Sequence, residues 1–251
     1  MAFRENEKKR LICLDCETTG LDVNKDRVIE VAAVCFDMKG TYGKFETLVN
    51  PGCTISPASI KIHHITQDMV VDKPAIQEVL SDLFEFVGDH PIVGHGILFD
   101  IDILAVSAGR ENIPTTMRKN LRIDTLRMAR IYGESQGNSL EDLRKHFHIE
   151  QEIAHRAMSD VIVNIEVFKR LAEQYSNLEK LFEVLSRPIL LKDMPLGKHK
   201  GRPLKEIPLQ YLKWAASKNF DQDLLYSIRT ELKKRKKGDR FSQATNPFQH
   251  L

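Results

Sequence analysis

Apolar positions along the chain follow one period near its start and another further on. "LICL", residues 11–14, is a continuous apolar run, the mark of a central strand. "DRVIEVAAVCFD" (26–37) and "GKFETLVNP" (43–51) predict two more strands, joined as a hairpin through the turn "MKGTYG". Then the spacing changes. "PAIQEVLSDLFEFVGD" (74–89) sets Ile76, Val79, Leu80, Leu83, Phe84 and Val87 three and four apart, which predicts a helix. "PIVGHG" (91–96) predicts a short strand, 100–112 a helix, and 120–133 a strand that turns helical. Ser139 and Asp142 form a capping-box pair at the head of a helix over 138–147. A long helix over 155–175 carries Ala157, Val161, Ile165, Phe168 and Leu171 on one stripe. A hairpin-led sheet followed by alternating strands and helices predicts a three-layer α/β domain with a mixed sheet. No internal repeat interrupts it.

Composition agrees with a globular chain: 42% of the 251 residues are hydrophobic and 29% charged, which excludes fibrous and disordered classes. No apolar run approaches the ~18 residues of a membrane span. The opening "MAFRENEKKR" lacks the apolar stretch of a secretory signal. The expectation is therefore a cytoplasmic protein with no membrane partner. Cys13 and Cys16 form a C-x-x-C, but no second pair or His pair follows at zinc spacing, so free thiols are expected.

Charge divides the chain. Residues 1–187 hold 23 Lys and Arg against 29 Asp and Glu, a net of −6, while 188–251 hold 14 against 6, a net of +8. With Pro and Gly clustered in "SRPILLKDMPLGKHKGRP" (186–203), this predicts a main domain over 1–187 and a small basic module over 188–240. Residues 241–251 are expected to form a disordered tail.

The first strand ends in two acids, Asp15 and Glu17. Side chains at i and i+2 of a strand share one face, roughly 6.6–7 Å apart, so the two carboxylates repel. Asp100 follows "VGHGILF", and Asp160 sits in the first turns of the last long helix of the body. Taken singly, Asp100 fits a helix cap, Asp160 a helix-dipole partner, and a strand-end acid a solvated one. Together they make a pattern: an apolar strand into D-x-E, another into F-D, and H-x-A-x-x-D at a helix start.

"LDCETTGL", "VGHGILFD" and "HRAMSD" resemble the three exonuclease motifs of the DEDDh (DnaQ-like) 3′–5′ exonucleases. "LVNPG", "IHHITQDMV" and "IDTLRMAR" resemble segments between those motifs in the proofreading-subunit branch. The similarity runs from about residue 10 to 175. It implies a ribonuclease H-like fold in which Asp15, Glu17, Asp100 and Asp160 bind two divalent cations, Mg²⁺ or Mn²⁺. It also implies that His155 is the general base, at the place where a sister branch has Tyr. Thr18, through its backbone amide, Leu21 as a wedge between terminal bases, His63 and Phe99 are the implied substrate contacts. Two departures stand out: Gly96 where the family usually has Asn, and His64 where it commonly has Gly.

"MPLGKHKGRPLKEIPLQYLKWAAS" (194–217) resembles the small C-terminal module of exonucleases related to exonuclease X. The helix predicted over 221–237 ends in "KKRKK", which suits a helix C-terminus and attracts phosphates. "QATNPF" resembles sliding-clamp-binding peptides. The expected partners are thus single-stranded DNA 3′ ends, with RNA as the alternative polymer, and a DNA polymerase or sliding clamp. A homodimer is compatible with the sequence. A non-catalytic nucleic-acid-binding module is the rival reading, and it leaves the repelling acids without a purpose.

Overall fold

Strand β1 (Leu11–Thr18) sends its side chains alternately to two helical layers, and that alternation sets the architecture. Leu11 and Cys13 join one core with α7 (Ala157–Ala172), while Ile12, Leu14 and Cys16 join another with α3 (Ile76–Val87) and α4 (Leu98–Arg110). The computed structural model describes residues 10–150 and 156–244, with backbone alone beyond Lys236. The chain divides into two compact units, Met1–Leu185 and Ser186–Leu251.

In the first unit β2 (Val28–Phe36) pairs antiparallel with β1 and with β3 (Thr41–Leu48), as the predicted hairpin requires. Strand β4 (Ile92–Gly94) lies parallel to β1, and β5 (Arg122–Asp124) parallel to β4. The five-stranded order β3-β2-β1-β4-β5 is a mixed sheet with helices on both faces, the ribonuclease H-like arrangement. Parallel strands β1, β4 and β5 all end on one edge, where the chain leaves for α4 and for α5 (Thr125–Tyr132). Packing of Phe168 edge-on to Phe36, centroids 5.6 Å apart, seats α7 on β2.

Local signals hold where they were specific. Ser139 Oγ accepts from the Asp142 N–H at 3.1 Å, and the Asp142 carboxylate accepts from the Ser139 N–H at 3.3 Å, capping α6 (Leu140–His146). The predicted helix over 100–112 begins earlier, at Leu98, so Asp100 stands inside its first turn. Two short helices that the hydrophobic spacing does not predict, α1 (Pro57–His63) and α2 (Gln67–Val70), cover β2 through a small core of Ile29, Ile55, Ile65 and Val70. α8 (Leu178–Leu185) closes the unit. All four cysteines are free thiols. No helix among the described residues is long and apolar enough to cross a membrane.

The second unit has its own core, Met194, Leu204, Ile207, Leu212, Ala215, Leu224 and Ile228, between α9 (Leu209–Ala215) and α10 (Gln222–Ala244). α10 runs past "KKRKK" to Ala244, four residues into the segment expected to be a tail. The basic run therefore lies mid-helix, and the helix-dipole argument for it does not apply. Arg235 within it turns inward, donating to the carbonyls of Ile207 (2.8 Å) and Leu204 (2.9 Å) and pairing with Glu231. "QATNPF" falls largely outside the described residues.

Candidate active site

The alternation that buries Leu11 and Cys13 under α7 puts Asp15 and Glu17 on that same face, two and four residues further along β1. The first turn of α7 brings Asp160 there from 143 residues away in sequence. Asp15, Glu17 and Asp160, all half-buried, each offer a carboxylate oxygen within 4.8 Å of the others. Asp100 is buried at the head of α4, and its Oδ1 accepts from the Cys16 N–H at 3.0 Å. That bond ties the fourth acid to the backbone between the first two. Asp100 is thus neither a helix cap nor one of the three oxygens in closest approach.

Electrostatics at this edge is unfavourable to the fold taken alone. Burial first, then Asp100, Glu17 and Asp160, push the Asp15 carboxyl well above its usual range. Glu17 is pushed up to about 8 by burial and then by Asp160 and Glu30, with Arg156 opposing. Burial lifts Asp100 to about 7 against the Cys16 hydrogen bond. Crowded, partly desolvated oxygen donors that cannot all ionise next to one another suit a hard divalent cation, which takes carboxylates and offsets their repulsion. The donor set fits a metal of that class.

Glu30 is the residue at this site that the sequence reading missed. It faces Glu17 in register across β1 and β2 and is 1% exposed. Arg156 grips it through Nε and Nη2, the shortest contact being 2.6 Å, and the Ala157 N–H donates to Glu30 Oε2 at 2.9 Å. This pair pins the start of α7, three residues before Asp160. An acid inside the otherwise apolar "VIEVAAVCF" was the available signal.

The remaining predicted residues differ in placement. Residues 151–155, and so His155, lie outside the described residues. Leu21 projects into solvent at 86% exposure from the loop after β1. The hub of that loop is Asp26, whose carboxylate accepts from Thr19 Oγ1 (2.9 Å) and the Asp22 N–H (2.8 Å). Thr18 is buried beside a β-bulge at Glu17 and Thr18, and its Oγ1 donates to the Gly20 carbonyl at 2.7 Å. His63 is buried, its Nδ1 accepts from the Ile65 N–H at 3.0 Å, and burial lowers its pKa. A neutral ring with Nδ1 accepting carries its proton on Nε2, which has no partner among the described residues. Phe99 is half-buried and packs on the α3–α4 core, as base platform and core residue both allow.

Both departures from the family pattern fall on left-handed backbone. Gly96 has φ +76°, a conformation that Asn also tolerates, and its N–H donates to Asp124 Oδ1 at 2.9 Å. The loop before Asp100 therefore keeps its geometry without the Asn side chain. His64 has φ +59° as the C-cap of α1, where a Gly would sit without strain. Close by, the half-buried His95 is held near 4 by burial, with its Nδ1 3.1 Å from Thr125 Oγ1, and Thr125 in turn donates to Asn164 on α7.

A mixed sheet whose strand end gathers acids from β1, α4 and α7 defines a metal-dependent phosphodiester hydrolase. Residues 12–168 match the exonuclease (RNase_T) family model, and the chain belongs to this DEDDh exonuclease family. Its members are hydrolytic 3′–5′ exonucleases that depend on divalent metal. The chain is similar to DNA polymerase III subunit epsilon of Treponema pallidum, with 34% identity over 69% of this chain and 81% of that protein. It is also 35% identical, over 66% of its length, to the PolC-type DNA polymerase III of Staphylococcus aureus, but that match spans only 12% of the polymerase. A solved structure, exonuclease X in complex with 5′ overhanging duplex DNA, shares the fold at a TM-score of 0.55, with 24% identity, over 69% of this chain and 98% of that one. Residues 182–229 match a second model, described as "Putative quorum-sensing-regulated virulence factor".

Proposed function

We propose that this chain is a two-metal-ion 3′–5′ exonuclease that shortens single-stranded or frayed DNA ends, releasing nucleoside 5′-monophosphates in proofreading or repair. The observation that carries the reading is the convergence of Asp15, Glu17 and Asp160 within 4.8 Å, from β1 and α7, with Asp100 hydrogen-bonded behind them. These four acids would hold Mg²⁺ or Mn²⁺. Two such cations, when bound, neutralise the phosphodiester and ease ionisation of the attacking water. The chain's own residues supply the rest. Asp100, fixed by the Cys16 amide, stays near enough to Asp15 for its charge to help push that carboxyl up. The Glu30–Arg156 pair holds the head of α7, and with it Asp160. His155, by its place in "HRAMSD", takes the proton as the water oxygen bonds to phosphorus and the bond to the 3′ oxygen breaks. Leu21 is read as the wedge against a terminal base, a reading its exposure on the loop supports.

DNA as the polymer, a cytoplasmic setting and a polymerase partner are supported by the relative named as a polymerase III subunit. The test is a time course on matched DNA and RNA oligomers labelled at the 5′ end, with Mg²⁺, with Mn²⁺ and with EDTA. Stepwise shortening of DNA from the 3′ end, absent in EDTA and in His155→Ala, supports the proposal. Shortening of RNA in preference to DNA transfers the activity to RNA. No product in either metal overturns it.

A further inference from the structure

Helix α9 buries Leu212 and Ala215 and turns Trp214, the chain's only tryptophan, outward at 49% exposure. Tyr211, one turn earlier, lies against Trp214 with ring centroids 5.1 Å apart and planes at 47°. His199 meets Tyr211 edge-on at 4.4 Å. The backbone carrying His199 approaches so closely that a Cβ on Gly197, at φ +74°, would lie 3.2 Å from Tyr211 Oη. Three rings thus pack in a row, from the buried His199 through the half-buried Tyr211 to Trp214, which is left half in water.

The segment that carries it is rich in cations. Lys218 Nζ stands 5.2 Å from the Trp214 ring centroid, over its face. Lys198, Lys200 and Lys213, next in sequence to His199 and Trp214, are exposed. From Gly197 to Lys218 there are six Lys and Arg against a single acid, Glu206. A protein-binding face is depleted of lysine at its centre. An exposed indole with an ammonium over its face, on a lysine-rich segment, suits instead a polyanion with flat apolar bases. Bases stack on the rings, phosphates meet the lysines, and the flexible Lys218 can yield its place over the ring to a base.

We infer that Trp214 and Tyr211, with Lys198, Lys200, Lys213 and Lys218, form a single-stranded nucleic-acid-binding surface on the second unit, separate from the acidic site. The inference rests on the proposed function only in taking nucleic acid as the partner, and it needs no hydrolysis. It places the grip on the α9 surface rather than on "KKRKK", where Arg235 is committed inside the unit.

The experiment uses the full chain in EDTA, so that no cleavage intervenes, titrated with an oligothymidylate. Because Trp214 is the only tryptophan, its emission reports this surface alone. Saturable quenching that weakens with salt is expected. Trp214→Ala should weaken binding of a fluorescently labelled oligomer about 5-fold or more, and Trp214→Phe less. Lys198→Glu combined with Lys218→Glu should flatten the salt dependence. Oligomer binding with unchanged emission overturns the inference. So does absence of oligomer binding while Trp214→Ala abolishes self-association in sedimentation, which would make this a protein face. Should Trp214→Ala fail to fold, the emission of the unaltered chain still decides. Quenching without nuclease activity sinks the proposed function alone, and activity without quenching sinks this inference alone.

Discussion

Glu17 and Glu30 stand opposite each other on neighbouring strands, yet they meet the cost of burial in opposite ways. Glu30 is 1% exposed and fully satisfied, by Arg156 on two nitrogens and by the Ala157 amide. Glu17 is more exposed but has acids as its nearest charged neighbours, and its carboxyl rises to about 8. A buried acid that serves the fold is given a cation by the chain, and one that serves a site is left short of charge so that something else can supply it. The two glutamates differ in environment because of what packs on them, not because of their place in the sheet.

The largest effect expected from breaking this contrast is on chemistry. Asp15→Asn should cut Mg²⁺-dependent shortening of single-stranded DNA by about 10³-fold or more, since it removes a proposed metal ligand from the cluster. Its urea midpoint without metal should not fall, because a repelling charge has gone. On the other side of the contrast, Glu30→Ala should cost about 3 kcal/mol of stability by leaving Arg156 unpaired and the Ala157 amide unbonded. That figure is the low end for a buried pair, because the Arg156 side chain is 29% exposed. Denaturant unfolding measures it.

A third effect is visible as a pH slope. In the folded, chelator-treated protein Glu17 titrates at about 8 and Asp100 at about 7, above their unfolded values. The native state then binds more protons than the unfolded one between about pH 4.5 and 8, so stability falls as pH rises through that window. Thermal melts in EDTA should show this decline, and Glu17→Gln should reduce it. The smallest effect concerns no charge at all. His64→Gly should raise stability by roughly 1 kcal/mol by relieving left-handed backbone at the C-cap of α1, read as a shift in urea midpoint.

Most of the sheet was legible because its strands announce themselves by composition and its long helices by spacing. Asp15, Glu17 and Asp160 were found because three motifs resemble one family. Their meeting was not readable from spacing, since it depends on α7 packing over β1 from far along the chain. α1 and α2 were invisible because seven and four residues are too few to establish a helical period. Glu30 was hidden in a strand buried at all nine positions, where a single acid looks like an irregularity. The motif displayed Arg156 all along, but nothing in the sequence says that its guanidinium reaches β2 rather than solvent.

Calorimetric titration of Mn²⁺ into the parental chain, Glu17→Gln and Glu30→Gln separates the acid left short of charge from the one paired by Arg156. Glu17→Gln should lose measurable binding while Glu30→Gln retains it. Equal Mn²⁺ affinity in Glu17→Gln and the parental chain would contradict this.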